Sequence, residues 1–101
     1  MNCVVLKGFG GTDQLVYEDV PTPALKPGEV LIESRAISIN PVEVKTRKGK
    51  GQAARLAKDN PMILGWDVSG VVRAASADSS LNAGDEVFGM INIPGHGKCY
   101  A

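Results

Sequence analysis

The sequence predicts an all-β domain with one or two short helices, built around a closed or rolled sheet. Runs of β-branched and apolar residues recur along the chain, and Gly or Pro turns separate them. Only one segment carries a full set of helix signals. Such an alternation of short strands and turns is typical of a β-barrel or a β-sandwich. At 101 residues the chain is long enough for one modest core, so we expect a single domain.

The predicted strands lie between turn signals and are rich in Val, Ile and other apolar residues. They cover residues 2–7, 15–20, 29–40, 68–76 and 86–92. The run at 29–40 has no helical period, and we expect it to form the longest strand. A further strand begins in GKCYA at the C-terminus, where we expect it to be cut short.

A helix is predicted to begin after Asn40 and to end at Gly49. Asn40 suits the N-cap, Pro41 suits the first helical position and Gly49 suits the C-terminal stop. Residues 45–58, which begin inside this helix, contain six of the eleven basic residues and no aromatic residue. We interpret them as a mobile, solvated loop with a short helical turn at 52–58. The alternative is an anion-facing lip, on which Lys45 points toward whatever Asn40 faces.

Composition and charge argue against several classes of partner. Lys plus Arg equals Asp plus Glu at 11 each, so no net charge attracts the chain to nucleic acid or to an anionic membrane. The apolar runs fall far short of the ~18–20 residues that a membrane helix needs. Cys3 and Cys99 lie at opposite ends of the chain without a CxxC pairing, which favours a reduced compartment. We therefore expect a cytoplasmic protein with no nucleic-acid or membrane partner.

Three motifs suggest chemistry, but a simpler interpretation is favoured for each. GFGG at 8–11 is similar to a phosphate-binding loop, but a strand pattern follows it, so a hairpin turn is favoured. His96 and Cys99 could supply two zinc ligands, yet a structural zinc needs four and only Cys3 could add another thiolate. The chain has no G-x-S-x-G elbow, and its one histidine lies in a Gly/Pro loop, so a hydrolase triad has little support.

The order of these segments resembles the N-terminal part of the medium-chain dehydrogenase/reductase superfamily. The resemblance covers essentially the whole chain and is closest to the zinc-free branch of quinone and enone oxidoreductases. Its most specific segments are NPVEVK at 40–45 and GWDVSG at 65–70. It implies a GroES-like, partly open β-barrel over residues 1–101, incomplete at the C-terminus. In the family a Rossmann domain with the NADPH site follows, and that domain is absent from this sequence.

The resemblance also implies that the chain binds no zinc. In zinc-dependent relatives a Cys ligand stands at the position of Asn40, and Gly-His-Glu stands at 65–67, where this sequence has Gly-Trp-Asp. The amide of Asn40 is a poor substitute for a thiolate, and the indole of Trp66 offers only an N–H donor. The four-cysteine lobe that holds a structural zinc is absent as well.

Zinc-free relatives transfer hydride from NADPH to a quinone or to the double bond of an α,β-unsaturated carbonyl. By resemblance, Asn40 and Lys45 are catalytic and contact the nicotinamide side of the cofactor, where Lys45 could stabilise charge on the carbonyl oxygen. Trp66 and Asp67 would line the substrate pocket. Asp67 would accept backbone hydrogen bonds or pair with a basic residue, because an unpaired buried carboxylate is costly. A catalytic role and a purely structural role of Asp67 stay equally open.

The expected function is that of the substrate-pocket domain of an NADPH-dependent, zinc-independent quinone or enone reductase. NADPH would bind through the missing Rossmann domain, so residues 1–101 alone are expected to be inactive; family members are often homo-oligomeric. A stand-alone GroES-like binding module is the alternative. A co-chaperonin is a weaker one, because the motifs from Asn40 to Gly70 have no purpose in such a protein.

Overall fold

A computed structural model describes residues 1–91 and 99–100 of the chain. These residues form six β-strands, two short α-helices and one 3₁₀ turn at Thr12–Gln14. The strands are β1 (Asn2–Leu6), β2 (Leu15–Asp19), β3 (Val30–Ile37), β4 (Met62–Ile63), β5 (Asp67–Ala75) and β6 (Glu86–Met90). The helices are α1 (Pro41–Arg47) and α2 (Ala53–Leu56). The predicted fold class, mostly β with one or two short helices, is confirmed.

Two strand predictions can be compared with the structure in detail. The longest strand is β5, with nine residues against eight in β3, so the prediction that the 29–40 run would be longest was wrong. β3 ends at Ile37 because the chain then leaves the sheet and enters α1 at Pro41, a residue that favours the first helical turn. The GFGG stretch connects β1 to β2 through the 3₁₀ turn, which confirms a turn at this position.

The strands form two antiparallel sheets, in the orders β2-β1-β4 and β3-β5-β6. We call them the first sheet and the second sheet. Between β4 and β5, Gly65 has a φ of 104°, a left-handed conformation that suits glycine, and the chain passes there from the first sheet to the second. Within the described residues the two sheets do not close on each other. A closed sheet is therefore not formed in this part of the chain, in agreement with the partly open barrel that the resemblance implies.

The core joins the first sheet to α2. The buried side chains of its two clusters come from β1, from α2 and from the segment that includes and follows β4, and β5 adds the buried Val68 and Val72. The first contains Leu6, Leu56, Leu64 and Trp66, and the second contains Cys3, Val5 and Ile63. Because Ala53 and Leu56 are buried, α2 is anchored by apolar packing. The short helical turn predicted at 52–58 is confirmed, and the burial of these two residues corrects the prediction that the turn belongs to a solvated loop.

Helix α1 lies where the sequence predicts it. The backbone N–H of Asn40 donates to Oε2 of Glu43 at 2.8 Å, which satisfies an amide at the helix start. Gly49 follows the helix with a φ of 94°, as expected after a helix C-terminus. Nη1 of Arg47 donates to the carbonyl oxygen of Gly10 at 2.5 Å, and the Gly10 N–H donates to the Arg47 carbonyl at 2.8 Å. These two bonds tie α1 to the β1–β2 connection.

Cys99 and Tyr100 lie between β1 and the segment that follows β4. The N–H of Tyr100 donates to the carbonyl of Leu64 at 2.9 Å, and the N–H of Val4 donates to the carbonyl of Tyr100 at 2.9 Å. The other residues of the predicted C-terminal strand, 97, 98 and 101, lie outside the described residues, and so does His96. No helix in the described part of the chain has the length and apolarity needed to cross a bilayer.

Candidate functional site

A groove of about 460 Å³ lies on the second sheet, at the end where β5 begins. Its lining comes from all three strands of that sheet and from the residue that follows β3. The lining residues are Ala36, Ile37, Ser38, Asp67, Val68, Ser69, Phe88, Gly89 and Met90. Most of them are apolar or small, and three carry a hydroxyl or a carboxylate. A mostly apolar lining with a few polar groups is typical of sites that bind small molecules.

The strand register explains why these side chains meet on one face. Ser69 of β5 lies opposite Ala36 of β3 and opposite Phe88 of β6, so these three residues form one row across the sheet. Asp67 lies opposite Met90, and it is two residues from Ser69, so this pair continues the same face. The face is left open to solvent at β6, where the side chain of Phe88 is 89% exposed.

Three polar side chains form a hydrogen-bonded triangle at one end of the groove. Oγ of Ser38 donates to Oδ2 of Asp67 at 2.5 Å. Nδ2 of Asn40 donates both to Oγ of Ser38 at 2.8 Å and to Oδ2 of Asp67 at 2.9 Å. Hydrogen bonds to a carboxylate are stronger than those between neutral groups, so this triangle fixes the orientation of Asn40 and Asp67. We call Ser38, Asn40 and Asp67 the polar triangle.

Glu43 supports the polar triangle from the first turn of α1. It is 2% exposed, and its Oε2 accepts the backbone N–H of Asn40. Its Oε1 is buried and has no hydrogen-bond partner among the described residues. Glu43 therefore holds the backbone of Asn40, whose amide bridges Ser38 and Asp67.

The side chain of Cys99 is buried, and the charges of two acidic side chains act on its thiol. Burial, together with the negative charges of Asp67 and Glu43, raises the pKa of Cys99 to about 11. A thiol with such a pKa stays protonated at neutral pH and is a poor nucleophile. The suggested zinc pair of His96 and Cys99 cannot be compared with the structure, because His96 lies outside the described residues.

Comparison with known proteins identifies the domain. Residues 26–101 match the family model of the alcohol dehydrogenase GroES-like domain. The chain belongs to this family. This GroES-like domain is 38% identical over 96 residues to the chloroplastic NADPH-dependent alkenal/one oxidoreductase of Arabidopsis thaliana, covering 91% of the chain and 24% of that protein.

Two further relatives agree with that assignment. The 2-methylene-furan-3-one reductase of Solanum lycopersicum is 40% identical over 88 residues, covering 83% of the chain and 22% of that protein. The solved quinone oxidoreductase from Coxiella burnetii is 37% identical with a TM-score of 0.91, covering 99% of the chain and 32% of that protein. The predicted membership of the medium-chain dehydrogenase/reductase superfamily is confirmed. The chain spans about a quarter of the length of the curated relatives named above.

Two of the four site residues predicted from the sequence come together in the GroES-like domain. Asn40 and Asp67 share the polar triangle, and Asp67 lines the groove. Lys45 is exposed on α1, and its side chain makes no hydrogen bond or ion pair among the described residues. Trp66 is 1% exposed and packs in the first core cluster, whereas the described lining of the groove is formed by other residues.

The partners of Asp67 correct one expectation. The sequence predicted backbone hydrogen bonds or a basic partner, and the structure shows the Ser38 hydroxyl and the Asn40 amide instead. These residues are separated from Asp67 by 29 and 27 positions, so their proximity depends on the pairing of β3 with β5. The sequence signal that could have revealed Ser38 is its place on the same predicted strand face as Ser34 and Ala36.

The described residues do not provide a donor set for zinc at this position. Nδ2 of Asn40 donates to Ser38 and to Asp67, and the indole of Trp66 lies inside the core. No group of three or more His, Cys, Asp or Glu side chains in the described ranges could hold a metal ion.

Proposed function

We propose that this GroES-like domain supplies the substrate side of an NADPH-dependent, zinc-independent reductase that acts on quinones or α,β-unsaturated carbonyls. The observation that carries the proposal is the groove on the second sheet, which combines an apolar lining with the fixed carboxylate of Asp67. The similarity to an NADPH-dependent alkenal/one oxidoreductase and to a quinone oxidoreductase gives it a reaction class.

NADPH would meet this chain only at its nicotinamide end. The glycine-rich stretch at 8–11 leads into a 3₁₀ turn and then β2, so it lacks the helix N-terminus that holds a pyrophosphate in dinucleotide-binding loops. Bound NADPH supplies the hydride for the reduction. The residues of this chain would position the acceptor and stabilise the charge that develops on its oxygen.

The apolar part of the groove suits a flat acceptor. Phe88 and Met90 present exposed apolar surface on β6, and the small side chain of Ala36 leaves space on the other side of β5. Exposed apolar surface beside a few polar groups is typical of a binding surface. A quinone or an enone would pack its flat face against these side chains.

Lys45 would stabilise the developing negative charge. Its ammonium group is exposed on α1, one helical turn after Asn40, and it makes no ion pair within the described residues. A positive charge held near the carbonyl oxygen lowers the barrier when that oxygen becomes an enolate or a phenolate. Asn40 would orient the acceptor through the amide that the polar triangle fixes. The expected cytoplasmic location and homo-oligomeric state stay predictions.

Reductase assays on two proteins test the proposal. We expect no NADPH oxidation by residues 1–101 alone with menadione or methyl vinyl ketone. We expect turnover by a polypeptide that joins this chain to the remainder of a family member, including its nucleotide-binding domain. In that polypeptide, Lys45→Met should lower kcat by about tenfold or more, whereas Lys48→Met, also exposed at the end of α1, should have little effect. Equal effects of the two changes would remove Lys45 from the proposal.

A binding module without catalysis is the second candidate. It is favoured by one observation, which is that the described residues of this chain alone line the groove. A joined polypeptide that binds a quinone but never oxidises NADPH would support this candidate over the reductase.

A further inference from the structure

The carboxylate of Asp67 has an unused oxygen. Both donors of the polar triangle, Oγ of Ser38 and Nδ2 of Asn40, bond to Oδ2. Oδ1 accepts no hydrogen bond from the described residues. A carboxylate can accept several hydrogen bonds, so Oδ1 keeps its full capacity for a ligand. Asp67 is only partly buried and lines the groove, which makes this oxygen accessible.

The surroundings of Asp67 determine which ligand would use this oxygen. The described lining of the groove contains no basic side chain, so the negative charge of Asp67 is not neutralised there. A hydrogen-bond donor on the ligand is therefore favoured at this end, while a second carboxylate or a bare carbonyl oxygen is disfavoured.

The other end of the groove suits an aromatic ring. Phe88 and Ala36 lie on either side of Ser69, and Ser69 is two residues from Asp67. Two residues of a strand span roughly 6.5–7 Å, a separation that a single ring with one polar substituent can bridge. A ring stacked on the exposed face of Phe88 would thus place a substituent near Oδ1 of Asp67.

We infer that the groove selects flat aromatic ligands that carry a hydroxyl donor, with the hydroxyl bound to Oδ1 of Asp67 and the ring packed on Phe88. This inference rests on the proposed function, because it takes the groove to be the substrate surface. It makes Asp67 a specificity-determining residue. Among the proposed reactants, the hydroquinone formed from a quinone carries such hydroxyl groups, as do enones that bear a phenol.

A pair of probes differing in one donor tests the inference on the chain itself. 4-Ethylphenol has the hydroxyl, and 4-ethylanisole has the same ring with the donor replaced by a methyl ether. Each is titrated into the ¹⁵N-labelled chain, and amide shifts at residues 67–69 and 88–90 report binding. We expect the phenol to bind at least about tenfold more tightly, as a hydrogen bond to a charged acceptor predicts.

Two variants and one matched control locate the interaction. Asp67→Asn should weaken the binding of 4-ethylphenol by about tenfold and leave the binding of 4-ethylanisole unchanged. Glu86→Gln removes a charge from β6 outside the groove and should change neither affinity. Phe88→Ala should weaken the binding of both probes equally. Because Phe88 is almost fully exposed, this variant should fold and still tests the site if Asp67→Asn fails to fold.

Other outcomes would overturn the inference. Equal affinity for the two probes, or a phenol affinity that Asp67→Asn leaves unchanged, would show that Oδ1 is not the acceptor. Shifts at residues 88–90 that depend on protein concentration without a probe would show that a second copy of the chain occupies the groove. Loss of phenol selectivity with reductase activity intact would refute only this inference, whereas selective binding without turnover in the joined polypeptide would refute only the proposed function.

Discussion

Strand β1 of the first sheet and strand β6 of the second sheet use their side chains in opposite ways. In the first sheet, β1 buries Cys3, Val5 and Leu6, which pack with the segment that follows β4 and with α2. In the second sheet, β6 leaves Phe88 and Met90 exposed, and the polar triangle lies beside them. Because β5 of the second sheet also buries Val68 and Val72, the contrast lies between the two strands: β1 contributes to the core, and β6 contributes a binding surface.

The first prediction compares the loss of stability when a core residue of the first sheet and an exposed residue of the second sheet are changed to Ala. Leu6→Ala removes a fully buried side chain and should lower the free energy of unfolding by about 2–5 kcal/mol. Phe88→Ala should change it by no more than about 0.5 kcal/mol, because that side chain is largely in solvent already. Urea denaturation of both variants measures the contrast. A large loss from Phe88→Ala would contradict the division between β1 and β6.

A second prediction compares the two strand pairings of the second sheet, β3 with β5 and β5 with β6. A Cβ placed on Gly70 of β5 would lie 2.1 Å from the backbone oxygen of Glu33 in β3, so Gly70→Ala should destabilise the fold by about 1–3 kcal/mol. Gly89 of β6 has no atom within 4 Å of the same position, and Gly89→Ala should be neutral or stabilising by about 0.5 kcal/mol. Thermal unfolding of the two variants tests this, and equal shifts in Tm would contradict it.

A third prediction concerns the polar triangle. Ser38→Ala removes one donor to Oδ2 of Asp67 and should cost about 1 kcal/mol of stability. Ser69→Ala is the matched control, since Ser69 lines the same groove but makes no side-chain hydrogen bond among the described residues. A calorimetric comparison should show a loss for Ser38→Ala alone. Two unchanged variants would mean that the triangle contributes no net stability.

A fourth prediction concerns stability at alkaline pH. Because the pKa of Cys99 is raised from 9.0 to about 11, the folded state favours the protonated thiol. The corresponding stability is fully present below pH 9 and is lost as the pH rises toward 11. The Tm of the parent chain should therefore fall more steeply across this window than that of Cys99→Ala. Parallel curves would show that the thiol does not ionise differently in the two states.

The sequence predicted the local features of the fold better than the contacts between strands. Asn40, Pro41 and Gly49 mark the ends of α1 through short-range capping and backbone preferences, and the structure agrees with them. The partners of Asp67 were predicted wrongly, because the register that brings Ser38 beside it is set by strand pairing over 29 positions.

The groove could not be predicted for the same reason, because its lining depends on which strands pair and in which register. Phe88 was predicted to lie on a strand, but nothing in the sequence indicated that its strand would lie beside β5 with Phe88 opposite Ser69. The burial of Leu56 was missed for a related reason, since a basic and Gly-containing stretch favours a solvated loop when its contact with Leu6 and Trp66 is unknown.

The most direct test of the proposed substrate surface uses two exposed aromatic residues on opposite sheets. Phe88 lies in the groove of the second sheet, and Tyr17 of β2 is 70% exposed on the first sheet. In the polypeptide that joins this chain to a nucleotide-binding domain, kcat/KM for menadione is measured after each change to Ala. We predict that kcat/KM falls by about tenfold or more for Phe88→Ala, mostly because KM rises, and that it does not change for Tyr17→Ala. Equal values for the two variants would contradict it.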